Sequence, residues 1–83
     1  MKITLIICTY NNCDSLRRTL ASLTRLAVPS GALLEVVVVD NNSSDNTCQV
    51  AEDFVDRLPL RYSFEPEQGL AYARRRGVRE SSS

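Results

Sequence analysis

The run VVVVD, Val36 to Asp40, constrains this chain more than any other stretch. Four consecutive β-branched apolar residues send side chains to both faces of a strand, so both faces must be covered. Each valine buried there is worth roughly 1.5–3 kcal/mol. An inner strand of a layered α/β sheet meets that demand, whereas a sheet with one wet face does not. The strand is predicted over Leu34 to Val39, apolar apart from Glu35 near its start.

Its neighbours follow from periodicity. ITLIIC, Ile3 to Cys8, is a second apolar run, predicted to be a strand buried on both faces and stopping at the loop Thr9-Tyr10-Asn11-Asn12. Asp14 or Ser15 then caps a helix whose inward stripe is Leu16, Leu20, Leu23 and Ala27, and Pro29-Ser30-Gly31 ends it. After the valine strand, Ser43, Ser44 or Asp45 caps a second helix with Thr47, Val50, Ala51, Phe54 and Leu58 inward, ending at Pro59. LRYSFE alternates strictly, with Leu60, Tyr62 and Phe64 on one face and Arg61, Ser63 and Glu65 on the other. That pattern predicts an edge strand with one wet face. Gly69 opens a third helix running to about Glu80.

The order is βαβαβα. Right-handed crossovers make the sheet parallel, ordered 3-2-1, with both crossover helices on one face. The third helix alone is not expected to cover the other face. A larger α/β domain continuing past Ser83 is therefore expected, with self-association through the uncovered sheet face or edge as another way to hide it.

Eighty-three residues make one small domain, and 43% hydrophobic with 24% charged residues makes it globular. Ten basic and ten acidic residues cancel, which argues against a nucleic-acid or membrane-surface binder. Cys8, Cys13 and Cys48, without any histidine, match neither a disulfide framework nor a metal set, and are expected to be reduced thiols. No signal peptide or membrane-length apolar run is present, so the expected compartment is the cytoplasm or the cytoplasmic face of a membrane.

Open α/β sheets bind ligands at the carboxyl ends of their strands. Thr9-Tyr10-Asn11 and Asp40 emerge together on that edge. Neither GxGxxG nor GxxxxGK[ST] occurs, so dinucleotide and Walker A loops are ruled out. A carboxylate, a tyrosine ring and small polar groups suit a base and ribose. The carboxylate would accept the ring N–H of uracil, thymine or guanine, while cytosine turns an acceptor toward it. Capping of a turn by Asp40 is the simpler alternative. On the third helix, the face Leu70, Ala73, Arg74, Gly77, Val78 predicts an inward Arg74, which needs an anionic partner such as Asp40 or a ligand diphosphate. Arg75, Arg76 and Arg79 are expected to point outward, with Arg76 and Glu80 forming an i,i+4 pair.

ITLIICTYNN, EVVVVDNNSSDNT and EQGLAYARRRGV together resemble, in order and spacing, the first third of family 2 glycosyltransferases. The resemblance spans nearly the whole chain and implies a Rossmann-like, three-layer GT-A fold. It also implies a nucleotide-diphosphate sugar donor of UDP, GDP or dTDP type. It assigns Thr9, Tyr10 and Asn11 to the base, Asp40 to a hydrogen bond with it, and Asn41 and Ser43 to the turn below. Gly69 and Arg74 would border the diphosphate or Asp40. Gln68 and Arg75 stand where the family usually has asparagine. Residues 1–83 would be the nucleotide-sugar-binding portion of an inverting transferase. The D-x-D motif for Mg²⁺ or Mn²⁺ and the general base are expected downstream, so neither catalytic nor metal-binding residues are assigned here, and the portion alone would be inactive. A non-catalytic nucleotide-binding or subunit-pairing module is the alternative. A nucleotidyltransferase ranks lower, since no glycine follows the first strand.

Overall fold

The computed structural model describes residues 2–26 and 30–81. Ala27 and Pro29 therefore lie outside the described residues. The elements are β1 (Lys2–Thr9), α1 (Cys13–Leu23), β2 (Leu33–Asp40), α2 (Thr47–Glu52), β3 (Leu60–Phe64) and α3 (Leu70–Glu80). The sheet is parallel, in the order β1-β2-β3. Its register aligns Thr9, Asp40 and Phe64 at the carboxyl edge.

β2 is the middle strand, and all four of its valines are at 0% exposure. Val36 and Val38 pack with Leu16 and Leu20 of α1 and with Val50, Phe54 and Leu58 of the α2 segment. Every residue of the stripe predicted for the second helix is buried. The regular helix stops at Glu52, however, short of Pro59. Beyond it Phe54, Val55 and Arg57 bond to carbonyls three residues back, and this tighter winding keeps Phe54 and Leu58 turned inward.

On the opposite face α3 covers β2, although, as expected, it does not cover the whole face. Val37 and Val39 lie beneath Ala73, with Cys8 packed alongside. Gly77 makes the close approach: a Cβ there would collide with Ile6 Cγ2 and lie 3.4 Å from Val39 Cγ2. β1 is less buried than predicted, with Ile6 38% exposed. Only β2 pairs with it among the described residues, so its outer edge and part of its α3-side face are left open.

The wet face expected on β3 is present at Arg61, which is exposed, but not at the other two residues. Ser63 and Glu65 are buried under α3. Arg76 supplies the cation: its Nε donates to Glu65 Oε1 at 2.8 Å, and its Nη1 to Ser63 Oγ at 3.4 Å. The expected pair with Glu80 is present at 3.7 Å. Arg76 is thus the inward-facing arginine of α3, and Arg74 is exposed. The helix is rotated from its predicted phase because Ala73 and Gly77, four residues apart, are the side chains small enough to face the valines.

Two predictions follow from this packing. Gly77→Ala gains up to about 1 kcal/mol of helix propensity but overpacks a site where roughly 1–3 kcal/mol is the usual cost. Chemical denaturation should show net destabilisation, partly relieved by adding Ile6→Ala. The second concerns Glu65, whose carboxyl is held below its ordinary value of 4.5 by Arg76 first and then by the Glu67 amide. A depressed carboxylate stabilises the fold fully above its unfolded value, and that contribution fades as pH falls through the folded one. Glu65→Gln should therefore melt lower than the parent at neutral pH. The difference should shrink as pH drops below 4.5.

Candidate nucleotide site

Side chains alternate along a strand, so the end of β2 serves both layers. Asp40 points toward the side of α1 and α2, and Asn41 toward the side of α3. Asp40 is 2% exposed. Its Oδ1 accepts the Ser43 N–H at 2.8 Å, and its Oδ2 accepts the Tyr62 hydroxyl at 2.6 Å. Burial foremost, and then the bond to Asp40, push the Tyr62 phenol well above its ordinary range, so it remains an O–H donor.

The loops after β1 and β2 are tied to each other. The Asn11 N–H donates to Ser43 Oγ at 2.8 Å, and Asn11 Oδ1 accepts the Ser44 N–H at 2.7 Å. Asn11 adopts φ +45°, a left-handed conformation that asparagine tolerates well. Asp45 joins the two crossover helices at their starts. Its Oδ2 accepts the Cys13 N–H at 3.1 Å, and its Oδ1 accepts the Thr47 N–H at 3.0 Å and the Thr47 hydroxyl. These donors, the Thr47 hydroxyl foremost, hold its carboxyl below the ordinary carboxylate range.

Asn41 organises the third loop. Its Nδ2 donates to the carbonyls of Glu67 at 2.7 Å and Glu65 at 3.3 Å, and its Oδ1 accepts the Gly69 N–H at 2.9 Å. Gly69 has φ +136°, a conformation that side chains rarely adopt. The start of α3 is thereby set beside the end of β1. Between them lies a cleft of about 350 Å³, whose walls include Thr9, Tyr10, Asn41, Gln68, Gly69 and Leu70. Tyr10 is 52% exposed, so its ring is available to a ligand.

Of the residues singled out from sequence, Thr9, Tyr10, Asn41 and Gly69 line this cleft. Asn11, Asp40 and Ser43 do not line it: they tie the loops together on the α1 and α2 side, and Asp40, buried and bonded through both oxygens, does not open onto the cleft as expected for a contact with the base. Arg74 is exposed on α3 and does not line the cleft, nor does it reach Asp40. It has no hydrogen bond or salt bridge among the described residues, though its charge partly offsets the upward push that burial gives the Cys8 thiol. Tyr62 was not singled out, because strict alternation in LRYSFE accounts for it as a core aromatic. Its signal was the hydroxyl, which needs a partner when turned inward. Asp45 was legible only as one of three candidate caps.

The family model for "Glycosyl transferase family 2" matches residues 4–83. Validoxylamine A glucosyltransferase of Streptomyces hygroscopicus subsp. jinggangensis (strain 5008) is 37% identical over 83 residues, covering 98% of this chain and 19% of that protein. The dolichol-phosphate mannosyltransferase of Pyrococcus furiosus is 32% identical over 83 residues, covering 99% of this chain and 23% of that protein. Among solved structures, the mannosyltransferase PcManGT from Pyrobaculum calidifontis, in complex with GDP-Man and Mn²⁺, superposes with a TM-score of 0.85 at 30% identity. The match covers 96% of this chain and 24% of that one. TarS 1-349 of S. aureus superposes with a TM-score of 0.84 at 30% identity, covering 100% of this chain and 25% of that one. The chain thus spans about a fifth of the length of the curated relatives. The parallel βαβαβα arrangement is Rossmann-like and of GT-A type, as the resemblance implied. On the match over residues 4–83, this chain belongs to glycosyl transferase family 2.

Proposed function

We propose that this chain is the nucleotide-sugar-binding part of an inverting glycosyltransferase, which moves a sugar from a nucleoside diphosphate to an acceptor hydroxyl. The observation that carries this reading is the cleft at the carboxyl edge, where the Thr9-Tyr10 wall faces the Gly69 start of α3. Its volume of about 350 Å³ falls within the usual range for small-molecule sites. Tyr10 offers a stacking face for a base, and the polar groups of Thr9, Asn41 and Gln68 line the same cleft. Arg74, charged and exposed without an ion pair among the described residues, is free to meet a diphosphate. The GDP-Man held by the Pyrobaculum mannosyltransferase supports a nucleoside diphosphate sugar as the ligand class.

The Mg²⁺ or Mn²⁺ expected of the family would need ligands from elsewhere. Among the described residues no three histidine, cysteine, aspartate or glutamate side chains converge, so no step through a metal is assigned to them. Binding without turnover is the activity expected of residues 1–83 alone. No helix among the described residues is long and apolar enough to cross a membrane. The three free thiols support a reducing compartment such as the cytoplasm or its membrane face.

Titration of the labelled chain with UDP, GDP and dTDP by NMR should shift the amides of Tyr10, Asn11, Ser43 and Gly69. A folded sample in which none of the three nucleotides moves these signals would refute the proposal. Tyr10→Ala should weaken the tightest of them by about fivefold or more, in line with the roughly 1–3 kcal/mol of a base–aromatic stack.

A further inference from the structure

A second hollow, of about 270 Å³, lies on the other side of the end of β1 from the cleft. The two share the run Cys8-Thr9-Tyr10, but this one is walled by α1 and not by α3. Ile7 and Leu16 give it an apolar patch, while Thr9, Asn12, Ser15 and Thr19 bring three hydroxyls and an amide. None of those four side chains makes a hydrogen bond to the described residues. Thr9 is the most constrained of them. It is 8% exposed, and its register with Asp40 turns its side chain to the α1 side. A hydroxyl both enclosed and unpaired is costly, and among the described residues no sealed side-chain oxygen lacks a partner. The Thr9 hydroxyl therefore keeps an opening, and the space on its side of the sheet is this hollow.

We propose that this hollow is a second binding site, which takes an uncharged sugar ring. Charge rules out the ionic alternatives. No arginine or lysine lines the hollow, and the carboxylates of Asp14 and Asp45 at the start of α1 repel an anion. No carboxylate lines it either, so a cation would meet only neutral groups. A wholly apolar ligand would leave the Thr9 hydroxyl against hydrocarbon. The volume lies just below the usual range for drug-sized ligands, which suits a single ring. A pyranose has the matching pattern, with hydroxyls around its rim for the four polar side chains and C–H groups on its faces for Ile7 and Leu16. Such a ring can belong to a nucleotide-sugar seated in the neighbouring cleft or to an acceptor. The assignment is read from the lining of the hollow itself and stands apart from the nucleotide-binding reading above.

The test titrates the labelled, folded chain with methyl glucopyranoside and methyl mannopyranoside, read by NMR at the amides of Asn12, Ser15 and Thr19. Those signals should move at millimolar sugar and stay still with inorganic phosphate. Thr9→Val keeps the shape and removes the hydroxyl, so it should weaken the tighter glycoside by about fivefold, as loss of one neutral hydrogen bond does. Should Thr9→Val fail to fold, Thr19→Val on the exposed side of α1 should show the same weakening. Movement with UDP-glucose or GDP-mannose beyond that caused by UDP or GDP identifies the donor's sugar as the occupant. Movement with the glycosides and none beyond UDP or GDP identifies an acceptor. Signals unmoved by every sugar, signals moved by phosphate, or equal sugar binding in the parent and both variants would overturn the proposal. A folded chain that binds sugar but no nucleotide would leave it standing and refute the nucleotide reading alone.

Discussion

Covering both faces of β2 is the constraint on which the rest of the chain depends. Val36 and Val38 need α1 and α2, and Val37 and Val39 need α3. Loss of either layer would expose at least two valines at roughly 1.5–3 kcal/mol each. For a domain of this size such a loss is comparable with its whole net stability. Two small residues, Ala73 and Gly77, let a single helix shield the second face of β2.

The same strand delivers the site. Its last two residues face opposite layers, and each governs a different loop. Asp40 gathers the turn at Ser43 and, through Ser43, the loop after β1. Asn41 gathers the segment before α3. The cleft is thus assembled from three loops that hold one another through side chains. Any ligand seated there meets groups already directed, which lowers the ordering cost of binding.

Most of this was legible in the sequence. The valine run required an inner strand, and helix periodicity gave every buried position of the second crossover. The misreadings around α3 have one origin. Taking Leu70 as inward sets a face centred on Arg74, whereas Ala73 and Gly77 set one that brings in Arg76. Strict alternation in LRYSFE suggested a wet face because Ser63 and Glu65 are polar. In the fold they are buried and bonded to Arg76. The clue was the complementarity of Glu65 and Arg76, which no single-segment pattern registers. Tyr62 escaped notice for a similar reason, since hydrophobic periodicity counts its ring and ignores its hydroxyl.

The single amide of Asn41 has a consequence for how the molecule ages. It holds the carbonyls of Glu65 and Glu67 and the Gly69 N–H, across a segment without regular structure. Hydrolysis to aspartate, the common spontaneous damage of asparagine, would leave the shape nearly unchanged while replacing the donor with an anion aimed at two carbonyl oxygens. The donor bonds that hold the segment before α3 would then be lost. A chain hydrolysed at that one amide would be only about one dalton heavier, with its sheet intact and the ties of its cleft wall to α3 altered.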